Sequence, residues 1–438
     1  MNALDPAAAR ALQDRLACLT ALQFTNQLES VQALRGLLDA CAGERVDTQT
    51  FCAAYQRTYN AWLTCVSAGH ASFAQEVLCH ILFTDSPAAR LCARLDANAL
   101  PYSLVRALAH DLSTLGELTG IEPSAFFLLA ARGGADAAVY GQLPAWEASV
   151  DFHSGDPRLA NVALRESAVS DLCAFYHVHG TGVFAQYPGC TYVGVSAEHP
   201  LGLRGIRRPD PLRLEDMVLY EAQRNALIEN TRALLAGKKA ANVLLFGDKG
   251  TGKSATCKAL LSSFWLEGLR IVEVPLIKLT HLQEIFAVLR EQPGKFIVFV
   301  DDLAFADSCP EYTALKTVLE GGLEARPQNV VVYATSNRRN IVRQRFSERE
   351  DDVNERDTLE EKFSLADRFD LRLSFQAPSQ DEYLQIVRAL LGAHGVEPGE
   401  KWDAIAREAC TFTVSHAGRS PRIARQFVDL YVARMQQD

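Results

Sequence analysis

"NVLLFGDKGTGKSA", residues 242–255, decides how the rest of the chain is read. Its first five residues, Asn242 to Phe246, are an apolar run that reads as a buried strand, and "KSATCKALLSSFWLEG" from Lys253 onward has helical spacing. Between them Gly247, Gly252, Lys253 and Ser254 fit the pattern G-x-x-x-x-G-K-[ST]. A strand, a glycine-rich turn and a helix in this order make an anion cradle. Backbone N–H groups along Gly247, Asp248, Lys249, Gly250, Thr251, Gly252 and Ala255 would point at β- and γ-phosphates, where the helix N-terminus also places positive charge. Lys253 would add a point charge, and the Ser254 hydroxyl would ligate Mg²⁺.

A loop that holds a nucleotide breaks it only with acidic help nearby. "FIVFVDD" supplies Asp301 and Asp302 at the end of an apolar strand, 48 residues after Lys253. Asp301 would hold Mg²⁺ through water and Asp302 would orient or deprotonate the attacking water; taken alone, two acids after a strand are also a common way to start a helix. The next apolar strand, "NVVVYAT", ends in Ser336 and Asn337, and an uncharged amide there can bond the γ-phosphate or the water. Asn is equally a routine turn residue.

Working outward, residues 212–377 alternate helical and strand-like segments. "LEDMVLYEAQRNALIENTRALLAG" reads as helix, "LRIVEV" as strand, "THLQEIFAVLRE" as helix and "KFIVFV" as strand. Continuous apolar strands between helices predict a parallel sheet covered on both faces. Helices resume in 378–438. Residues 1–150 read as helices throughout, with Thr48 or Thr50 starting one and Gly120 ending another, and no repeat at solenoid periods. Residues 151–211 loosen into glycines, prolines and short β-rich pieces and are expected to connect the two domains.

At 438 residues and 48.1 kDa, with 48% hydrophobic and 22% charged residues, the chain is an ordinary globular one, long enough for two or three domains. No apolar run approaches the roughly 18 residues of a membrane helix, and the first thirty residues lack a basic segment followed by an apolar one. A cytoplasmic protein without a membrane segment is expected. The eleven cysteines stand singly, without CxxC pairs, and read as reduced, buried thiols. Residues 1–200 hold 11 Arg, no Lys and 19 acidic residues, a charge of −8, while the remainder carries −1. Such a front half would repel phosphate backbones.

The order of phosphate loop, acidic strand end, "ATSN", "LADRF" and "GRSPRIARQF" resembles that of the AAA+ ATPases. More narrowly, "NVLLFGDKGTGKS", "YTALKTVLEGGLEARPQNVVVYATSNRR", "EEKFSLADRF" and "RSPRIARQF", with the upstream "HGTGVFAQY" and "LEDMVLYEAQ", resemble the bacterial family catalogued as domain of unknown function 815. The resemblance covers residues 170–432. It implies an α/β AAA+ core at 212–377, a small helical lid at 378–438, and ATP with Mg²⁺ between them; the acidic helical domain 1–150 lies outside it. It also implies roles: Asn337 as polar first sensor, Arg422 as a second-sensor arginine on the lid, and Arg368 as a finger reaching a neighbouring subunit's site, hence a ring or filament. Arg368 could instead pair with Asp367, Asp370 or Glu361. Arg422 follows Ser420 and Pro421, which fit N-cap and N1 of the last helix, where a cation needs a compensating anion. Asp302 stands where many AAA+ enzymes carry glutamate, and Asp370 where the family usually shows glycine.

The function expected is ATP-driven remodelling of a protein partner held by the N-terminal domain. The alternatives are a DNA-associated helicase-loader-like ATPase and a nucleotide-gated switch with little turnover. Arg338, Arg339, Arg343, Arg345 and Arg349 could form a nucleic-acid patch, but they run into "EDDVNERDTLEE", and a contact with the next subunit is favoured over DNA. His177 and His179, with Cys173 and Cys190 nearby, lack zinc spacing and are read as structural.

Overall fold

A computed structural model describes residues 4–151, 156–305, 309–320, 326–337, 365–416 and 418–436. The chain divides into two compact units, Met1–Gln186 and Tyr187–Asp438.

The first unit is helical among its described residues. Its longest helices are Glu29–Cys41, Thr48–Ser67 and Tyr102–Thr119, and Leu34, Leu37, Leu38, Phe51, Tyr55, Leu108, Leu112 and Leu115, each at most 1% exposed, meet in one core. Local chemistry starts these helices. Asp47, Ser72 and Ser86 each accept a backbone N–H three residues on, the bond that satisfies an otherwise orphaned donor. Asp47 thus takes the cap expected of Thr48 or Thr50. Gly120 does close the helix Tyr102–Thr119. Asp111 is fully buried, and its carboxylate accepts the N–H groups of Thr20 and Leu22 at 3.0 and 2.8 Å, so its burial is matched by hydrogen bonds. All eleven cysteines are free and seven are buried. Burial pushes the thiols of Cys41, Cys65 and Cys79 up to about 12, which keeps them unreactive.

The second unit is built on seven strands: β1 (Gly189–Tyr192), β2 (Leu203–Gly205), β3 (Val243–Gly247), β4 (Leu269–Glu273), β5 (Lys295–Val300), β6 (Val330–Ser336) and β7 (Leu371–Phe375). Their order is β2-β1-β4-β5-β6-β3-β7, parallel throughout except for the β1–β2 pair. β6 is buried along its whole length and β5 along all but its first residue, as strands covered on both faces must be. The helix Glu221–Leu235 is keyed to the sheet by Asn230, whose amide donates to the Tyr333 hydroxyl and accepts from the Ala241 N–H, at 2.9 and 2.8 Å. Three helices, Gln380–Ala393, Trp402–Ser415 and Pro421–Met435, pack on one another through Tyr383, Ile386, Leu391, Ile405, Ala409 and Phe427.

The α/β core with a parallel sheet, a C-terminal helical lid and an all-helical N-terminal region is the fold class expected from sequence. The stretch 151–211 differs from the connector expected of it. Its first part joins the helical core through Val169–His179 and Val183–Gln186, because Leu172, Phe175 and Tyr176 are apolar at helical spacing. Its second part supplies β1 and β2, which extend the sheet beyond β4. β7, which the sequence reading passed over, closes the other edge.

Candidate functional site

The chain runs from β3 outward to β4, returns through β5 and β6 to β3's side, and crosses to β7 on the other. Reversal of strand order leaves a crevice at the strands' carboxyl ends, where α/β sheets bind ligands. The glycine-rich loop sits there.

Three of its glycines have left-handed backbone, with φ of 135° at Gly247, 82° at Gly250 and 95° at Gly252. A side chain on Gly247 would place Cβ 2.0 Å from the Phe375 carbonyl oxygen, so both conformation and space demand glycine. The helix Lys253–Phe264 begins at Lys253. The Lys253 side chain turns back over the loop, and its ammonium donates to the carbonyls of Gly247 and Asp248 and to Oδ1 of Asn337, at 3.0, 2.7 and 3.0 Å. Burial lowers the Lys253 pKa from its ordinary value of 10.5, against the pull of Asp248, Asp302 and Asp301.

Asp301 Oδ1 accepts two hydroxyls, Ser254 Oγ at 2.5 Å and Thr335 Oγ1 at 2.6 Å. Two hydroxyls around one carboxylate oxygen are an all-oxygen donor set suited to a hard cation such as Mg²⁺. Asp302 lies in the left-handed region with φ of 54°, a conformation that costs a non-glycine residue energy and that surrounding bonds must hold. Here they come from β6: Thr335 Oγ1 accepts the Asp302 N–H at 2.9 Å and the Thr335 carbonyl accepts the Leu303 N–H at 2.7 Å. The turn brings Asp302 Oδ1 to 2.7 Å from the Asn337 amide nitrogen. Asn337 therefore bridges Lys253 and Asp302, accepting with its oxygen and donating with its nitrogen.

These groups line a cleft of about 490 Å³ closed on one side by Ile386, Leu390, Pro421, Arg422, Arg425, Gln426 and Asp429 from the C-terminal helices. Ser420 caps the last helix, its Oγ accepting the Ile423 N–H at 3.3 Å, and Pro421 follows at the first helical position, as expected. The Arg422 N–H lies 3.4 Å from the Gly250 carbonyl, so the helix start abuts the loop.

Residues 191–435, more than half of the chain, match the model of the family described as "Protein of unknown function (DUF815)". The chain belongs to that family. No curated protein matches the DUF815 chain. Among solved structures it is similar to three of Thermotoga maritima RuvB. An alanine-to-serine mutant shares 17% identity at a TM-score of 0.33 over 50% of this chain and 63% of that one. A threonine-to-valine variant shares 14% at 0.31, and the structure titled RuvB Holliday junction branch migration motor shares 12% at 0.30, each over 50% of this chain and 71% of that one.

Of the DUF815 chain's expected site residues, the loop from Lys249 to Ala255 with Asp301, Asp302, Asn337 and Arg422 line the one cleft; Gly247 and Asp248 support it from the strand side. Arg368 is not part of that lining. It pairs with Glu320 at 3.0 Å rather than with Asp367 or Asp370, and Asp367 bonds Arg372 instead. Arg338, Arg339, Arg343, Arg345, Arg349 and Glu361 lie outside the described residues. Among the described residues no group of three or more His, Cys, Asp or Glu is placed to hold a metal ion, and His177 lies 3.7 Å from Asp96. No helix among the described residues is long and apolar enough to cross a membrane.

Sequence reasoning missed Leu212, Asp216, Met217, Val218 and Tyr220, which line the cleft beside the loop. All but Leu212 fall in a segment read as continuous helix from Leu214, which breaks because Leu219 and Tyr220 take positive φ of 69° and 58°. Arg425, Gln426 and Asp429 were missed as well, although their spacing of three, four and seven residues from Arg422 on one helix was a usable signal.

Proposed function

We propose that this protein is an AAA+ ATPase. ATP enters the cleft between the carboxyl end of the sheet and the C-terminal helices, and a neighbouring copy completes the site for hydrolysis of the β–γ bond. The supporting observation is the convergence of the Lys253 ammonium, the Ser254–Asp301 pair and the Asp302–Asn337 pair in one cleft. Each is a part that phosphoryl transfer to water requires.

On this reading the loop amides and Lys253 would hold the β- and γ-phosphates, and Ser254 and Asp301 are the residues that would hold Mg²⁺. The ion would neutralise charge developing on the phosphate oxygens. Asp302 accepts a proton from a water that attacks the γ-phosphorus, the β–γ bridging bond breaks, and its electron pair leaves with ADP. Asn337 fixes Asp302 through Nδ2, and once Lys253 turns to phosphate its freed Oδ1 can accept an O–H of the water, while the second N–H of Nδ2 is the one that can serve the γ-phosphate. Arg422 and Arg425 face the phosphates from the lid, where a guanidinium fork suits paired oxygens.

Arg368 belongs to a neighbour's site in this reading, which its place outside its own chain's cleft supports. The assembly is therefore a ring or filament. A protein partner is assigned to the acidic N-terminal unit, whose surface disfavours DNA.

The test is ATPase rate per protomer against protein concentration, with Arg368→Ala beside the wild type. A rate that climbs with concentration and falls by about 10³-fold in the variant is expected, the scale of an arginine finger. A concentration-independent rate unchanged in Arg368→Ala would overturn the shared site. Bound ATP with negligible turnover at every concentration would favour a nucleotide-gated switch.

A further inference from the structure

We propose that Asp248 is a positioning residue that clasps the phosphate-binding loop to the hinge of the C-terminal helices, so that nucleotide in the loop sets whether Arg422 reaches the γ-phosphate. The proposal rests on the ATP-binding reading above.

β3 and β7 pair in register as far as Gly247 and Phe375, and the ladder runs one bond further, from the Asp248 N–H to the Phe375 carbonyl at 2.9 Å. The next ladder bond would use the Asp248 carbonyl. That carbonyl has turned into the loop, where it accepts the Lys253 ammonium at 2.7 Å and the Thr251 hydroxyl at 2.8 Å. The Asp248 side chain takes over its ladder role: Oδ2 accepts the Ala377 N–H at 2.7 Å. One residue therefore faces the phosphate site with its backbone and the hinge with its carboxylate.

The hinge between β7 and the helix Gln380–Ala393 is short, and the start of the helix Glu221–Leu235 grips it and the end of β7. The Tyr220 hydroxyl donates to the Gln376 carbonyl at 2.5 Å, and Gln223 Nε2 donates to the Ser374 carbonyl at 2.9 Å. Pro378 has no N–H to offer, and Ser379 is already the N-cap of the helix, in a reciprocal capping box with Glu382. Ala377 is thus the point at which the loop holds the hinge by its N–H. At its other end the loop meets the lid again, since a Cβ on Gly250 would lie 2.9 Å from Ser420 Oγ.

These contacts couple loading to lid position. A phosphate in the loop competes for the Lys253 ammonium, which now holds the Asp248 carbonyl. Release of that carbonyl lets the Asp248 peptide turn, and the carboxylate carries Ala377 with it. The lid, pivoting on 376–379, then seats Arg422 and Arg425 over the outermost phosphate. ADP, lacking that phosphate, fills the loop but gives the lid nothing to grip.

The test uses the full-length chain with Mg²⁺ and either ADP or the β,γ-imido analogue of ATP, in wild type, Asp248→Ala and Asp248→Asn. Asp248→Ala is expected to weaken the analogue by about tenfold and ADP by less than about twofold, the scale of one hydrogen bond's contribution. Asp248→Asn keeps an acceptor oxygen for Ala377 and should recover most of the loss. Amide exchange at Ala377 and along Gln380–Ala393 should respond to the analogue in the wild type and not in Asp248→Ala. Equal loss of both nucleotides would mean that Asp248 merely supports the loop and would overturn the clasp, as would a variant indistinguishable from wild type. If the wild type binds neither nucleotide, the ATP reading itself falls, and this proposal with it.

Discussion

Lys253 and Asp302 sit at the two ends of the Asn337 bridge, and their expected roles separate cleanly. On the proposed reading phosphate would take the place of the three oxygen acceptors that now hold the Lys253 ammonium, so Lys253→Ala should cost about 100-fold or more in ATP affinity, as charge-assisted phosphate bonds are lost. On the proposed reading Asp302 would contact the attacking water rather than the nucleotide. Asp302→Asn, which keeps the bond geometry toward Asn337, should bind ATP within about threefold of wild type and hydrolyse it about 10²- to 10⁴-fold more slowly, the range of general-base catalysis. Equilibrium binding and single-turnover rates on the same samples check both; affinity falling in step with turnover in Asp302→Asn would contradict the division. Burial also sets a pH dependence. The Lys253 pKa is lowered in the free protein, so above that lowered value the ammonium is already losing its proton, and a phosphate must draw one back. ATP binding should then take up a proton at alkaline pH, starting below the 10.5 of an ordinary lysine, with affinity falling by at most about tenfold per pH unit. Calorimetry in buffers of different ionisation enthalpy counts that proton, and Lys253→Arg should abolish the uptake because guanidinium stays charged.

Elements announced by a single period were legible, and those made by exceptions to it were not. β3, β5 and β6 are largely continuous apolar runs and β4 a β-branched one interrupted by Arg270, and their bounds follow from "NVLLF", "LRIVEV", "KFIVFV" and "NVVVYAT" within a residue or two. β7 alternates Leu371, Leu373 and Phe375 over five residues at a sheet edge, too short a period-2 signal to stand out beside its neighbours. The segment from Leu214 to Tyr220 has helical composition yet is not part of the helix that follows, because two consecutive L-residues enter the left-handed region. What holds them is side-chain bonding beyond the helical period: the Arg224 guanidinium reaches back to the carbonyls of Met217 and Leu219, and the Tyr220 hydroxyl reaches the Gln376 carbonyl. Asp302 repeats the lesson, since its residue type and place were readable and its turn was not. Glycines inside helices show how context reverses a local rule. Replacing a helical Gly by Ala is worth about 1 kcal/mol in the absence of other contacts. Gly36 is exposed in the helix Glu29–Cys41, with nothing within 4 Å of a new Cβ, so Gly36→Ala should stabilise by up to about 1 kcal/mol. Gly116 lies in Tyr102–Thr119, where a Cβ would fall 2.0 Å from the Leu164 carbonyl oxygen, a backbone atom that cannot swing away. Overpacking of about 1–3 kcal/mol then outweighs the helical gain, and Gly116→Ala should be net destabilising. Urea unfolding of the two variants, read as midpoint shifts of opposite sign at constant slope, decides the matter.

At the scale of the whole molecule, two cores of different construction share one chain, and only one of them holds the cleft. All residues that line it belong to Tyr187–Asp438, whereas Met1–Gln186 has its own helical core and most of the negative charge. A ligand stabilises whatever unfolds cooperatively with its site, by about 2.7 kcal/mol at a hundred times its Kd. Mg-ATP should therefore slow amide exchange in the helix Lys253–Phe264 and in β5 and β6 by up to about 100-fold where exchange needs global opening of that unit. The helices Glu29–Cys41 and Thr48–Ser67 should exchange at the same rate with and without nucleotide, because their opening frees no ligand. Heating should likewise give two transitions, with only one moved by Mg-ATP, since chains with separate cores need not obey a two-state law. Equal protection in both units would mean that they unfold as one body, so that nucleotide energy reaches the acidic unit through the fold itself. Protection confined to Tyr187–Asp438 would mean that nucleotide binding stabilises that unit alone and leaves the opening of the helical unit unchanged.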